Sequence, residues 1–369
     1  MKILHISGAR SWGGNEQQLV DLIPELNKLQ VESIVFGMEG SPLQDEIQKS
    51  GTLFLSSSEG KIHKKNNFSL LKKIVADHHP DIIHLHTSDA VTLFVISDIL
   101  YRLKTPAVLS KKGMGSSMSI LSRYKYNYGS IKKIICVSEA VKNELQKEVI
   151  KKRNHGRLQV IYDGVNLDRT KVVRSEDIRE LFGLDKKYVL LGNIANHAKA
   201  KDLGTMVNMM DYLVNTMKVQ DIHLIQIGSF SKLTEDLKQQ IKDSGLESFI
   251  TLAGFQHHAL DFIPQFDLYV MSSVREGLPI TIFESFYKNT PVVSTNAGGI
   301  PEAIEDGVNG FLVEVGDYKG LAEKVIKLSR EQSLQEQFKE RSEKVFHENF
   351  VAGKTAERTF EVYNQVLEI

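Results

Sequence analysis

Two carboxylates, Glu276 and Glu284, stand eight positions apart in the run Arg275-Glu276-Gly277-Leu278-Pro279-Ile280-Thr281-Ile282-Phe283-Glu284, and the residues between them limit what they could do. The preceding Phe266-Asp267-Leu268-Tyr269-Val270-Met271 reads as a buried strand, and the following Pro291-Val292-Val293-Ser294-Thr295 as another. A strand, a turn holding Gly277 and Pro279, and a short helix put a helix N-terminus at the strand's carboxyl end. Pro279 suits the first helical position, where its missing N–H would have had no partner anyway. The free N–H groups of Gly277, Leu278 and Ile280, in the turn that Pro279 shapes, then make an anion site fit for a diphosphate. Carboxylates repel phosphate, so Glu276 and Glu284 are expected to accept hydrogen bonds from hydroxyl groups on either side of it. A diphosphate with hydroxyl-bearing groups at both ends is the shape of a nucleotide-sugar.

The elements that must hold such a turn repeat twice along the chain. Short apolar runs alternate with helical patterns, the signature of parallel α/β sheets. In the first half strands are expected at 2–7, 31–36, 52–55, 81–85, 106–110, 133–137 and 158–161, with helices at 15–29, 68–79, 89–103 and 138–150. In the second half strands are expected at 187–192, 221–227, 249–253, 267–271, 291–295 and 310–313, with helices at 202–218, 231–244, 280–289 and 318–329. The polar, turn-rich Asp163-Gly164-Val165-Asn166-Leu167-Asp168 suits a hinge between them. Past Phe346 the residues Ala352, Ala356, Phe360, Tyr363 and Leu367 recur at helical spacing on one face. The division this implies is 1–168, 169–345 and a terminal helix over 346–369.

A chain of 369 residues is comfortable for two domains, and its 41% hydrophobic and 25% charged content is that of a soluble globular protein rather than a disordered or membrane-spanning one. The one cysteine, Cys136, excludes an internal disulfide framework, and its apolar neighbours Ile134, Ile135 and Val137 make it a core thiol. Met1-Lys2-Ile3-Leu4-His5-Ile6 runs straight into a strand without the apolar length of a signal peptide, so a cytoplasmic location is expected. Net charge is zero, yet residues 101–157 carry 14 basic side chains against 3 acidic. Two readings stand: a solvated basic face, or a surface for anionic lipid head groups or a phosphate-bearing acceptor, which would add peripheral contact with the inner face of the membrane. No recognition motif accompanies the charge, so nucleic acid is not an expected partner.

Glu276 and Glu284 match the E-x7-E motif of retaining glycosyltransferases of the GT-B fold, most closely family 4 (glycosyl transferases group 1), and the resemblance runs over nearly the whole chain. Gly13-Gly14-Asn15-Glu16 is similar to that family's N-terminal Gly-Gly-x-Glu loop, and Asp81-Ile82-Ile83-His84-Leu85-His86 to its His-x-His strand. Val137-Ser138-Glu139 and Tyr162-Asp163-Gly164-Val165-Asn166 resemble segments near its domain junction. Gly298-Gly299-Ile300-Pro301-Glu302 and Gly307-Val308-Asn309-Gly310-Phe311-Leu312-Val313 resemble those that follow E-x7-E. The resemblance implies two Rossmann-like parallel-sheet domains facing a cleft, with the C-terminal helix crossing back to the N-terminal domain. It implies a nucleoside diphosphate sugar (a UDP- or GDP-sugar) bound by the C-terminal domain, and a saccharide or glycolipid acceptor mainly at the N-terminal one. Transfer to a hydroxyl with retained configuration would serve bacterial surface polysaccharide or glycolipid assembly. Glu284 would accept from the donor ribose, and Glu276 would hold the sugar ring.

The resemblance also locates the remaining candidates. Asn193 stands where the family usually has arginine, and Lys201, with Lys199 close in register, looks like the lysine of the same segment. A lysine suits the charge that develops on a leaving diphosphate, so no divalent metal and no cofactor is expected. Gly228 and Gly254-Phe255 end strands where a nucleotide base would lie, although Phe255 reads equally as core. Gly13 and Gly14 are either a tight turn or a loop that closes over donor or acceptor. His86 ends its strand and is a candidate acceptor or sugar contact, while His84 reads as structural. No Cys, Asp or third His is placed to complete a metal site with them. Lys111 and Lys112 replace a histidine usual in the family and either bind an acceptor anion or are simply exposed. Two alternatives share the ligand: a non-hydrolysing UDP-sugar 2-epimerase, and a catalytically silent nucleotide-sugar-binding protein. A dinucleotide oxidoreductase lacks its glycine fingerprint after the first strand.

Overall fold

The computed structural model describes residues 1–58, 60–115, 120–170, 176–256 and 258–368. These form two compact units, one of Met1–Asn166 with Phe350–Ile369 and one of Leu167–Asn349. The first unit holds β1 (Lys2–Ile6), α1 (Gly14–Lys28), β2 (Glu32–Gly37), α2 (Pro42–Lys49), β3 (Leu53–Ser56), α3 (Lys65–His78), β4 (Ile82–Leu85), α4 (Ser88–Tyr101), β5 (Ala107–Lys111), α5 (Ile120–Tyr126), β6 (Ile131–Cys136), α6 (Glu139–Glu148) and β7 (Leu158–Val160). The second runs α7 (Leu167–Thr170), α8 (Ile178–Phe182), β8 (Val189–Ile194), α9 (Leu203–Asp211), β9 (Ile222–Ile227), α10 (Thr234–Asp243), β10 (Ile250–Gly254), β11 (Leu268–Met271), α11 (Ile280–Tyr287), β12 (Val292–Thr295), β13 (Phe311–Val313), α12 (Tyr318–Arg330) and α13 (Gln332–Asn349). Helix α14 (Ala352–Leu367) belongs to the first unit.

Each unit is one parallel sheet. The orders are β3-β2-β1-β4-β5-β6-β7 and β10-β9-β8-β11-β12-β13. In both, the strand order reverses at one place, between β1 and β4 and between β8 and β11. Loops leaving the carboxyl ends of strands on either side of such a reversal diverge and leave a crevice, which is where open α/β sheets bind ligands. Gly13-Gly14 follows β1 and His86 follows β4; Lys201 follows β8 and Glu276 follows β11. These candidates thus lie at the reversal point of each sheet, while Lys111 ends β5, Gly228 follows β9 and Gly254 ends β10.

Burial explains why the strand runs are nearly unbroken in apolar residues. Ile82, Ile83 and Leu85 are fully covered, as a strand between two helical layers requires. In the first unit Ile3, Ile82, Val108 and Ile135 pack with Leu22 and Leu26 of α1 and with Ala356, Val362, Tyr363 and Val366 of α14. In the second, Met206, Met209 and Met210 of α9 pack with Leu224, Val270 and Val293 of the sheet and with Leu321, Val325 and Leu328 of α12.

Several elements differ from expectation. Helices α2, α5, α8 and α13 were not anticipated, being short or rich in charge. Helix α13 carries Phe338, Ser342 and Phe346 as a buried stripe at a spacing of four. It continues to Asn349, so the returning segment starts at Phe350 rather than at 346. On α14 the buried face is Ala352, Thr355, Ala356, Thr359, Val362, Tyr363 and Val366, while Leu367 is exposed. The helix expected over 202–218 ends as an α-helix at Asp211 and continues as one wider turn over Tyr212–Thr216.

The return of α14 is fixed by backbone contact. Val165 N–H donates to Phe350 O at 2.8 Å and Ala352 N–H to Val165 O at 3.1 Å. Gly164 lies flat against that segment, and a Cβ there would sit 2.3 Å from the carbonyl carbon of Val351. Backbone cannot swing aside as a side chain can. Gly164→Ala should therefore lower the stability of the protein by about 1–3 kcal/mol, the range for overpacking, seen as an earlier midpoint in urea. An unchanged midpoint would show that this contact is loose.

Candidate active site

In the second unit the site is built from two loops tied together. Lys201 ends a single turn over Lys199–Lys201, and Asp202 after it adopts the left-handed conformation at φ 43°. Ser272, just past β11, donates from Oγ to the carbonyl of Lys201 at 3.1 Å and of Asp202 at 2.8 Å, and Val274 N–H donates to Ala200 O at 2.9 Å. These bonds bring the Lys201 ammonium to 2.6 Å from Glu276 Oε1. Ser273 Oγ donates to the same carboxylate oxygen at 2.7 Å, and its own carbonyl accepts from Thr295 Oγ1 at 2.6 Å. Glu276 is 9% exposed, so its charge is held by partners rather than by bulk water.

Helix α11 starts where its sequence suggests, but Pro279 is not its first residue. Pro279 is the residue before the first helical one, extended at ψ 126°, and Ile280 opens the helix. The chain must turn sharply from the Glu276 loop, and proline's fixed φ of −75° serves that position equally well. Among the described residues the N–H groups of Gly277, Leu278 and Ile280 make no backbone hydrogen bond. Glu284 lies one turn into α11, only 4% exposed. Tyr269, buried in β11, bonds both N–H and C=O of Ile194 through its hydroxyl and lies within electrostatic reach of Glu284 and Glu276; burial drives its pKa upward.

Asn193, Gly228, Gly254 and Phe255 fall into two groups. Asn193 is buried in the sheet, its amide donating to Val270 O at 2.8 Å and its oxygen accepting from Gln226 at 3.4 Å. Gln226 also binds Ala195 O and His197 Nε2, and Thr234 meets His197 Nδ1 at 2.8 Å. This network carries the loop toward Lys201. Gly228 closes it, since a Cβ there would lie 1.9 Å from Ala195 O. Phe255 is not core: it is 54% exposed beyond Gly254, and Phe230, which the sequence reading missed, is 49% exposed beside the same glycine. These two partly exposed rings at adjacent strand ends offer a shelf that suits a planar base, with Phe230 backed by the His197 ring at 5.1 Å.

The first unit has a different chemistry at its reversal point. Strands β1 and β4 pair with His5 opposite His84, and His5 Nδ1 lies 3.0 Å from His86 Nε2. His84 is held by Tyr363 Oη at 2.6 Å and Ser110 Oγ at 2.8 Å. The expectation that no third histidine joins the pair is therefore corrected. His5 comes from a distant strand, and only the register of β1 on β4 reveals it. The three rings offer ligand atoms within 4.8 Å of one another, yet both nitrogens of His84 and the facing nitrogens of His5 and His86 are already hydrogen-bonded. Burial depresses all three: His5 to about 3, and His84 and His86 well below the ordinary value, with the Lys112 ammonium adding to the effect on the latter two. They are neutral at physiological pH. Lys112 is ion-paired to buried Asp163, and Lys111 donates to Gly113 O, so neither is simply exposed.

Three comparisons bear on this arrangement. The family description "Glycosyltransferase Family 4" matches residues 12–169, and "Glycosyl transferases group 1" matches residues 185–331. The chain is 24% identical over 308 residues to the N-acetyl-alpha-D-glucosaminyl L-malate synthase of Bacillus anthracis, covering 81% of this chain and 78% of that one. The chain belongs to the family 4 glycosyltransferases of GT-B fold. Over 133 residues it is 33% identical to the lipopolysaccharide core biosynthesis glycosyltransferase LpsE of Rhizobium meliloti, 36% of this chain and 38% of the other. The Anabaena protein Alr3699/HepE, solved in complex with UDP and glucose, superposes with a TM-score of 0.83 at 18% identity, covering 99% of this chain and all of that one. That last likeness concerns the fold.

In this glycosyltransferase the Gly13-Gly14 loop is tied to Glu16. Gly13 is extended, Gly14 opens α1, and Glu16 in the first turn reaches back to the N–H of Gly13, half of a capping box. Burial raises the Glu16 pKa to about 7 from 4.5. The folded protein therefore keeps this proton to higher pH than the unfolded chain, and stability falls as pH rises from about 4.5 to about 7. Glu16→Gln keeps the backbone bond and removes the titration. The variant should match the parent near pH 4.5 and exceed it by roughly 1–2 kcal/mol above pH 7, the size of such a shift after allowing for solvent screening. Parallel urea curves with a constant gap across that range would show that Glu16 titrates normally.

Proposed function

We propose that this glycosyltransferase moves a sugar from a nucleoside diphosphate sugar to a hydroxyl acceptor, with retention of anomeric configuration and without a divalent cation. The observation that carries the reading is the Lys201–Glu276 pair, 2.6 Å apart beside the uncommitted N–H groups that lead into α11. A cation and a fan of N–H donors meet a diphosphate, and the carboxylate meets sugar hydroxyls. Glu284 accepts from the ribose, and the Phe230 and Phe255 shelf receives the base. As the glycosidic bond breaks, negative charge grows on the phosphate oxygen, and Lys201 with the Gly277, Leu278 and Ile280 N–H groups stabilises it without reorganising. With Glu276 assigned to the sugar hydroxyls rather than to the anomeric carbon, the acceptor attacks from the leaving-group face and the departing phosphate oxygen takes its proton. The Anabaena neighbour's complex with UDP and glucose supports a uridine nucleotide as donor, and the LpsE likeness supports work on a surface polysaccharide or glycolipid. The acceptor is assigned mainly to the first unit, near His86, with Lys111 and Lys112 shaping its surroundings. The basic stretch 101–157 supplies peripheral contact with an anionic membrane, and the protein works at its cytoplasmic face.

Glu284→Gln preserves size and removes charge from the ribose contact. Calorimetry with a UDP-sugar should show binding weaker by roughly 1–3 kcal/mol, as for a charge-assisted hydrogen bond. Equal affinity with an intact circular dichroism spectrum would remove Glu284 from the donor site.

Chemistry and stereochemistry are read together in one reaction. With donor and acceptor in excess EDTA, proton NMR should show turnover equal to that with added magnesium, and a product whose anomeric configuration is that of the donor. Turnover restored only by metal would assign the leaving group to a cation and reopen the histidine cluster. An inverted product would discard front-face attack while leaving the donor site standing.

A further inference from the structure

We propose that His5 is a positioning residue for the transfer: it donates its Nδ1 proton to His86, and His86 in turn presents an Nδ1–H that donates to an oxygen of the acceptor. His86 then orients the acceptor and does not serve as its base. This rests on the reading that the acceptor lies near His86, and deepens it.

A neutral imidazole carries one N–H and one lone pair, so each ring can donate from one nitrogen only. Burial holds all three rings neutral, and the Lys112 ammonium further disfavours a second proton on His84 or His86. No carboxylate bonds to any of them among the described residues, so none is drawn back to the charged form. Across the 3.0 Å between His5 Nδ1 and His86 Nε2, one ring donates and the other accepts. The far nitrogen of His5 decides which. His5 Nε2 is sealed in the interior and has no hydrogen-bond partner among the described residues. If His86 donated, the His5 proton would sit on Nε2 as a buried N–H with nothing to receive it, a rare fault in folded proteins. If His5 donates, only an unused lone pair is left there, which is tolerated more often. The proton therefore lies on His5 Nδ1, His86 Nε2 accepts the bond, and His86 carries its own proton on Nδ1. That nitrogen has no partner among the described residues, yet it is not sealed as His5 Nε2 is.

Packing holds the ring that makes the offer. The His84 ring lies 4.2 Å from that of His86, and the His5 ring 5.3 Å. His84 is itself tied through both nitrogens, to Tyr363 Oη at 2.6 Å and Ser110 Oγ at 2.8 Å. A donor fixed in this way costs little further ordering when a ligand arrives. A hydroxyl that accepts from His86 keeps its own O–H free. As its oxygen bonds to the anomeric carbon, the bond from that carbon to the phosphate oxygen breaks, and the hydroxyl proton passes to that phosphate oxygen. His86 neither gains nor loses a proton. A base here would need a lone pair turned to the acceptor, and the bond from His5 occupies the one that His86 has.

Long-range proton–nitrogen correlation spectra of the full chain with isotope-labelled histidine read the tautomers directly, assigned from the backbone of the same sample. His5 and His86 should each show a protonated Nδ1 and a bare Nε2. A protonated Nε2 on either ring overturns the proposal. Transfer from a UDP-sugar to the best acceptor among a panel of octyl hexosides gives a second readout. His5→Phe keeps a ring but removes the donor, and the acceptor KM should rise about three- to tenfold, the size of one neutral hydrogen bond. UDP-sugar affinity by calorimetry should stay at the parent value. His5→Asn keeps an N–H where Nδ1 was and should recover most of the loss. Equal loss in both variants would mark His5 as packing alone and overturn its positioning role. His86→Phe with an unchanged acceptor KM, the tautomers being as expected, would overturn the acceptor placement and the proposal with it. Intact UDP-sugar binding in that variant would leave the donor half of the function standing.

Discussion

A cation and a carboxylate that are both mostly withdrawn from water must be brought together by something other than their own attraction. Coulomb energy between Lys201 and Glu276 offsets their desolvation only if the geometry is held and the remaining lone pairs are satisfied. Hydrogen bonds from the two serines after β11 meet both conditions. Ser272 binds the backbone that carries Lys201, and Ser273 binds the Glu276 carboxylate itself. Because both serines continue β11, the position of the pair depends on the strand order that makes β11 a neighbour of β8. The buried Asn193, Gln226, His197 and Thr234 network then fixes the other end of the lysine loop. The site is a consequence of the sheet reversal, secured by buried polar side chains.

The first unit treats polar groups at its reversal point in the opposite manner. Its three histidines are buried without counter-charge and stay neutral, joined to one another, to Ser110 and to Tyr363 of the returning helix. A neutral imidazole cluster can orient a hydroxyl without placing a fixed charge beside it. The reversal point of the first unit thus carries no fixed imidazole charge, whereas that of the second holds the Lys201–Glu276 pair. Lys112 could have supplied charge here, but Asp163 neutralises it.

How legible all this was depended on whether a feature is local. The strands were visible because parallel strands covered on both faces must be continuously apolar, as in Ile82 to Leu85. The Glu276 to Glu284 turn was visible because its glycine, proline and two acids sit within ten residues. What escaped is non-local or masked by charge. His5 joins His84 and His86 only through the β1–β4 register, and Phe230 matters only because Gly254 lies beside it. Helix α13 hid its Phe338, Ser342 and Phe346 stripe among lysines and glutamates, which displaced the expected start of the returning segment. Pro279 was off by one because the rule for helix starts allows either side of the boundary, and the tight turn from Glu276 decided it.

The substitution at Asn193 gains meaning from the same physics. An arginine at that strand position would add a second cation beside Lys201, and the buried amides that hold the loop would have to be rebuilt around it. With asparagine the local network is satisfied and neutral, leaving Lys201 as the cation paired with Glu276. Under the proposed reading the donor must then replace both halves of that pair together: phosphate takes the lysine while sugar hydroxyls take the carboxylate. A ligand offering only one half would leave a buried charge without its partner, which costs more than the new contact returns. Selectivity for an intact sugar nucleotide over a bare nucleoside diphosphate then follows from the pairing itself, and a chain with a further arginine would feel that constraint less.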